Sequence, residues 1–231
     1  MTSVLLFVTA LGIGQAQGSG LTAYGVRLTA YDPPAAQGPG PKAQGTDRKV
    51  PVGPAFTRPS TEAEEIALAL SAAPESLRAG ATVHVLGKDG YRKVKDGASG
   101  MNCLVEQSTP DSQEPICWDR EGSETIMPVV FAKAVWRAQG IKEDEIDRRV
   151  AKGFADGSFR APRRGGVAYM ISAANYVPAG DRVIHYGPHV MIYAPYVTNK
   201  DIGATGKDPN APWVLNEGSP HAYIIVVTRH Q

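Results

Sequence analysis

Only two of the 231 residues are cysteine and five are histidine, and lysine plus arginine (24) exceed aspartate plus glutamate (23) by one. A net charge of +1 gives no basic field to hold a phosphate backbone, which argues against nucleic acid as a partner, and no acidic field to gather cations. With no Cys-x-x-Cys spacing and no third cysteine, neither a redox dithiol nor a Cys-rich zinc site is indicated. The chain has no His-Glu-x-x-His, no Gly-x-Ser-x-Gly and no phosphate-cradling P-loop, so zincin, serine-hydrolase and nucleotide-phosphate chemistry have no local motif.

The apolar runs are short as well. The opening "MTSVLLFVTALGIGQAQGSG" is apolar from Val4 to Ile13, about ten residues, where a spanning helix needs about 20. Gly14 and Ala16 then occupy the small-residue positions that signal peptidase reads. Residues 1–16 are therefore expected to be an export signal, whose removal leaves no transmembrane anchor and a secreted or periplasmic protein. No lysine or arginine precedes the apolar run, which is unusual for such a signal. An oxidising compartment suits the cysteines: Cys103 and Cys117 are predicted to form a structural disulfide over a proline-containing loop.

Residues 17–59 are dominated by "DPPAAQGPGPKAQGTDRKVPVGP", too poor in large apolar side chains to offset the entropy of ordering, and read as a flexible Pro/Gly-rich segment. Residues 60–231 read as one α+β domain. Thr61 and Glu64 form a capping-box signature for a helix over 62–72, stopped by Pro74. Asp89-Gly90 between a β-branched run and a second run predicts a hairpin. Pro128 and Gly140 bracket a second helix. Glu143, Asp144 and Glu145 open a third, with Ile146, Val150 and Phe154 on one stripe. "GVAYMIS", "HVMIYA" and "HAYIIVV" read as strands apolar on both faces, covered on both sides or central in a sheet. The expected fold is a mainly antiparallel sheet with two or three helices packed on one face and one disulfide.

Strand parity singles out a candidate site. His189 and Tyr193 share one face of their strand, and His221 and Tyr223 share one face of theirs. If these faces meet, two imidazoles and two phenols gather into a ligand-binding cluster. The same histidines, with His185 and Glu217, are a weak candidate set for a divalent metal such as zinc, or for acid/base chemistry. The competing reading makes them structural, hydrogen-bonded at strand starts. "RAPRRGG" reads as a solvated loop, and Trp213 in "PNAPWV" as a loop residue able to close over a pocket.

The segments "DGASGMNCLVE", "PICWD", "GVAYMIS", "GPHVMIYAP", "DPNAPWV" and "EGSPHAYIIV", in this order over roughly residues 80 to 228, resemble an uncharacterised family of exported bacterial proteins with no assigned activity. The resemblance implies an exported single domain and brings no catalytic residue. Two functions stay open at this point. One is non-catalytic binding of a small ligand or envelope component at the His/Tyr cluster, without a cofactor. The other is a metal-assisted or acid/base hydrolase using His189 and His221.

Overall fold

The computed structural model describes residues 56–179, 182–208 and 211–228. The export signal and nearly all of the Pro/Gly-rich segment expected from the sequence lie outside these residues.

The first helix, α1 (Glu62–Ser71), starts as its sequence requires: Thr61 Oγ1 accepts from the Glu64 N–H at 3.2 Å, and Glu64 Oε2 accepts from the Thr61 N–H at 3.1 Å. A single turn, α2 (Glu75–Arg78), leads into β1 (Thr82–Gly87) and β2 (Gly90–Lys95). They form the expected hairpin, with Gly90 at φ 117° where only glycine is unstrained. Then come β3 (Asn102–Glu106) and β4 (Glu114–Trp118), an antiparallel pair in which Cys103 faces Cys117 and is joined to it by the disulfide.

Three helices follow: α3 (Arg120–Thr125), α4 (Met127–Ala138) and α5 (Glu143–Asp156). Asp119 caps α3 by accepting from the Gly122 N–H at 3.0 Å. Pro128 lies in the first turn of α4, and Gly140 ends it at φ 75°. The chain closes with β5 (Val167–Met170), β6 (Tyr176–Ala179), β7 (Arg182–His185), β8 (His189–Tyr193), β9 (Trp213–Leu215) and β10 (Tyr223–Val227).

Eight strands form one sheet in the order β2-β1-β3-β4-β5-β8-β10-β9, while β6 and β7 pair separately. All the pairs are antiparallel except β1 with β3, so the class is α+β with a mainly antiparallel sheet. The two faces separate by parity. Val83, Cys103, Val105 and Cys117 pack beneath α1. Leu104, Ile116 and Trp118 point the other way, into a core with Ile126 and Val130 of the α3–α4 region and with Met191, Tyr193, Tyr223 and Ile225. Fully burying a side chain such as Leu104 contributes about 1.5–3 kcal/mol.

Of the three helices expected from the sequence, α4 and α5 lie on one side of the sheet together with the short α3, and α1 covers the opposite face. That cover spans the β1, β3 and β4 part of the sheet. The three strands expected to be apolar on both faces, β5, β8 and β10, lie inside the sheet order, but β8 is buried on one face only, with Ile192 on the other face 40% exposed. Trp213 belongs to β9 rather than to a loop. The edge of β9 is occupied by the Asn199 carboxamide, which accepts from the Val214 N–H at 2.8 Å and donates to the Val214 carbonyl at 3.4 Å.

Candidate functional site

The tyrosines of the expected cluster do meet. Tyr193 and Tyr223 are directly opposed across β8 and β10, with ring centroids 5.7 Å apart. Both rings are buried and committed to the core. The Tyr193 hydroxyl lies 3.0 Å from Asp119 Oδ1 and 2.9 Å from the Val167 carbonyl, and the Tyr223 oxygen accepts from Trp118 Nε1 at 3.1 Å. Burial raises both phenols above their ordinary value, with the neighbouring acidic groups adding to it. There is no room for a ligand between them and the helices: a Cβ on Gly122 would fall 2.0 Å from Tyr193 Oη, and one on Gly166 would fall 2.7 Å from the same ring.

The histidines do not meet. His189 faces Val227, at the end of β10, whereas His221 precedes Tyr223, which faces Tyr193. An antiparallel pair sends the two strand starts to opposite ends. Tyr223 lies four residues along the ladder from Val227, about 13 Å at strand rise, and His221 lies beyond it, in the turn that precedes β10. His189 is buried, its Nδ1 2.9 Å from the Gly187 carbonyl and its ring edge-on to Tyr186 at 4.8 Å, and burial lowers its pKa. His221 lies flat on Phe154 at 5.2 Å and 6°, with Nδ1 buried and unpartnered; burial first, then Lys133, pushes it down to about 4.

The metal candidates disperse in the same way. His185 ends β7, exposed, with Nε2 2.7 Å from the Ala173 carbonyl. Glu217 accepts from Asn199 N–H and Nδ2, both at 2.8 Å, and so fixes the amide that blocks the β9 edge. Among the described residues, no group of three or more His, Cys, Asp or Glu side chains could hold a metal. The expected ligand cluster and the expected metal set are both corrected: the strand direction separates the imidazoles, and Glu217 belongs to a loop anchor.

The concave surface lies elsewhere. A cleft of about 490 Å³ opens between the end of β1 (Leu86, Gly87), the β3–β4 loop (Gln107, Thr109, Pro110) and the C-terminal half of α4 with the turn into α5. Ala134, Ala138 and Ile141 make its helical wall apolar, and Arg137, Lys142 and Glu143 give it charge. Arg137 is half-buried and forked onto Glu143, with Nε–Oε1 2.7 Å and Nη2–Oε2 3.0 Å. A hydroxyl in the opposite wall, Thr109 Oγ1, is buried without a partner. The second pocket, about 60 Å³ between Arg58, Glu65 and Gln113, is nearer the size of bound water than of a metabolite.

Beside the cleft stands a pair of groups absent from the sequence-based candidates. Glu106 and Glu114 oppose one another in the β3–β4 register, on the sheet face that looks toward α4. Each residue is half-buried by surface area, but its carboxyl group is densely surrounded by protein. Burial raises both carboxyls; the charge of Glu106 adds to the shift of Glu114, which is pushed up to about 7 despite donors from Ser108 and Ser112. Lys133 and Arg137, one turn apart on α4, are the cations within electrostatic reach of Glu106. The register was legible: the pair stands three residues beyond Cys103 and three before Cys117, so the predicted disulfide already aligned it.

Fold and site together define a disulfide-linked α+β domain with a lateral cleft between sheet and helices. The chain matches no protein-family model, no curated protein and no solved structure.

Proposed function

We propose that this is an exported domain, secreted or periplasmic, that binds a small ligand or envelope component without transforming it, and that the ligand occupies the α4 cleft rather than the His/Tyr strands. The observation that carries this reading is the cleft itself. Its volume, about 490 Å³, falls in the range of small-molecule sites, and it combines an apolar wall with a few charged and amide groups, the usual composition of such sites. Export is supported by the Cys103–Cys117 disulfide and by the apolar N-terminal run. No helix among the described residues is long and apolar enough to cross a membrane. The binding reading is further supported by the register of β8 and β10, which sends His189 and His221 toward opposite ends of the strand pair and so does not favour a joint role in hydrolysis.

The test is an amide-shift map of the labelled protein against soluble cell-wall fragments and a small-metabolite panel. The expected result is perturbation of Leu86, Gln107, Ala134 and Ile141, abolished by Ala138→Trp, which fills the cleft. Perturbation confined to His189, Tyr193 and Tyr223, or by no compound at all, contradicts the reading.

A further inference from the structure

Two carboxylates directly opposed across a ladder repel, and enclosure removes the water that would screen them. Glu106 and Glu114 are such a pair. The groups that face them are few. Tyr91 of β2 donates to the Val105 carbonyl at 2.9 Å and lies in the field of Glu65 of α1 as well as of the pair. Ser108 and Ser112, in the loop between the two strands, supply hydrogen bonds to Glu114. On α4 stand Lys133 and Arg137; Tyr223 of β10 lies in the field of Glu106.

Arg137 has two acidic claimants. Its fork is engaged by Glu143, at the start of α5, while its charge also interacts with those of Glu106 and Glu114. The Glu143 side chain is 58% exposed, so this ion pair is solvent-screened and contributes little. It nevertheless ties the last turn of α4 to the first turn of α5, across the Gly140 turn that forms one rim of the cleft.

We propose that the Glu106–Glu114 pair is a proton-operated latch on the cleft: with one proton shared by the pair, Arg137 stays forked on Glu143 and the α4–α5 turn is held; when that proton leaves to solvent, the doubly charged pair draws Arg137 inward and the turn is released. The regulatory meaning rests on the cleft being the binding site, but the latch is a property of the chain alone and is measured without any ligand. The upward shift of Glu114 toward neutrality places the transition between about pH 6 and 8. Binding at the cleft then differs between an acidic and a neutral environment.

The experiment is hydrogen exchange of the full chain at pH 6 and pH 8, corrected for intrinsic rates. It is read at the amides of Gln139, Gly140 and Ile141, which donate to Val135, Arg137 and Trp136. Protection of these amides is expected to fall about threefold from pH 6 to pH 8, the size of change that one solvent-screened ion pair supplies. Glu114→Gln is expected to keep high protection at both pH values, and Glu143→Gln low protection at both. Equal profiles for Glu114→Gln and the unaltered chain, or no fall in the unaltered chain, overturn the latch. Carboxyl carbon titration of the unaltered protein guards against a misfolded variant: one proton held at pH 6 and gone by pH 8 is expected, and two ionised carboxyls at pH 6 overturn the proposal. Failure of the cleft to bind any compound leaves these readings unchanged, so the two ideas fail separately.

Discussion

Glu106 and Glu114 face each other three residues along the ladder from Cys103 and Cys117, so the register that the disulfide marks also aligns the carboxylates. Moving β4 by one residue would turn every side chain to the other face, separating the pair and exposing Trp118. The same alignment that completes the core therefore holds two like charges together.

The first prediction concerns pH. The folded-state value of Glu114, about 7, lies above its ordinary value of 4.5, so the folded chain binds this proton more tightly than the unfolded chain. The stabilisation is complete below about pH 4.5 and is lost as pH rises through about 7. Urea denaturation of Glu114→Gln at pH 5 and pH 8 should show a smaller fall than in the unaltered chain. Parallel falls would contradict it.

His221 works in the opposite sense. Its value, about 4, lies below the ordinary 6.5, so its contribution is complete above about pH 6.5 and is lost as pH falls through 4. Between about pH 4.5 and 6.5 the two groups offset each other. His221→Phe keeps the flat contact with Phe154 and removes the orphaned Nδ1. It should be neutral or stabilising by about 1 kcal/mol at pH 7, with a reduced acid loss; destabilisation by more than about 1 kcal/mol would mean that the imidazole has an essential partner.

Gly122 is expected to be intolerant. Its added Cβ would fall 2.0 Å from Tyr193 Oη, so Gly122→Ala must displace a buried ring that also carries the Asp119 hydrogen bond. A loss at or above the upper end of about 1–3 kcal/mol follows, whereas Tyr193→Phe, which deletes only the hydroxyl, should cost about 1–2 kcal/mol. Thermal melts of both variants check the order.

Replacing both cysteines by alanine opens a closure spanning a sequence separation of 14. Chain entropy predicts a loss of about 3 kcal/mol, and the β3–β4 ladder should survive because its strands remain covered by α1 and α4. Denaturation of the double variant, with amide exchange in β3 and β4, measures both parts.

What was legible in the sequence were features set by local chemistry. The Thr61–Glu64 capping box, the Asp89-Gly90 turn, the Pro128 and Gly140 boundaries and the Ile146, Val150 stripe each act through neighbours a few residues away, and each fell where expected. The site was less legible. Parity placed His189 with Tyr193 on one face of β8, but the expected strand sharing of His221 and Tyr223 does not form, because His221 lies in the turn before β10 and stacks on Phe154, and parity carries no strand direction. An antiparallel partnership of β8 and β10 brings the tyrosines together and drives the histidines apart. The short helix α3 depends on the Asp119 cap within a segment of weak periodicity, and the β6–β7 pair contains Pro178, which argues against a strand. The cleft is built from three distant segments, and no local pattern announces it.

The central claim is that binding takes place in the α4 cleft and not at the His/Tyr strands. The most direct measurement is a set of binding isotherms for a compound found in the amide-shift screen, on the unaltered protein, Ala138→Trp and His221→Phe. The account predicts at least tenfold weaker binding for Ala138→Trp and unchanged binding for His221→Phe; the reverse pattern would contradict it.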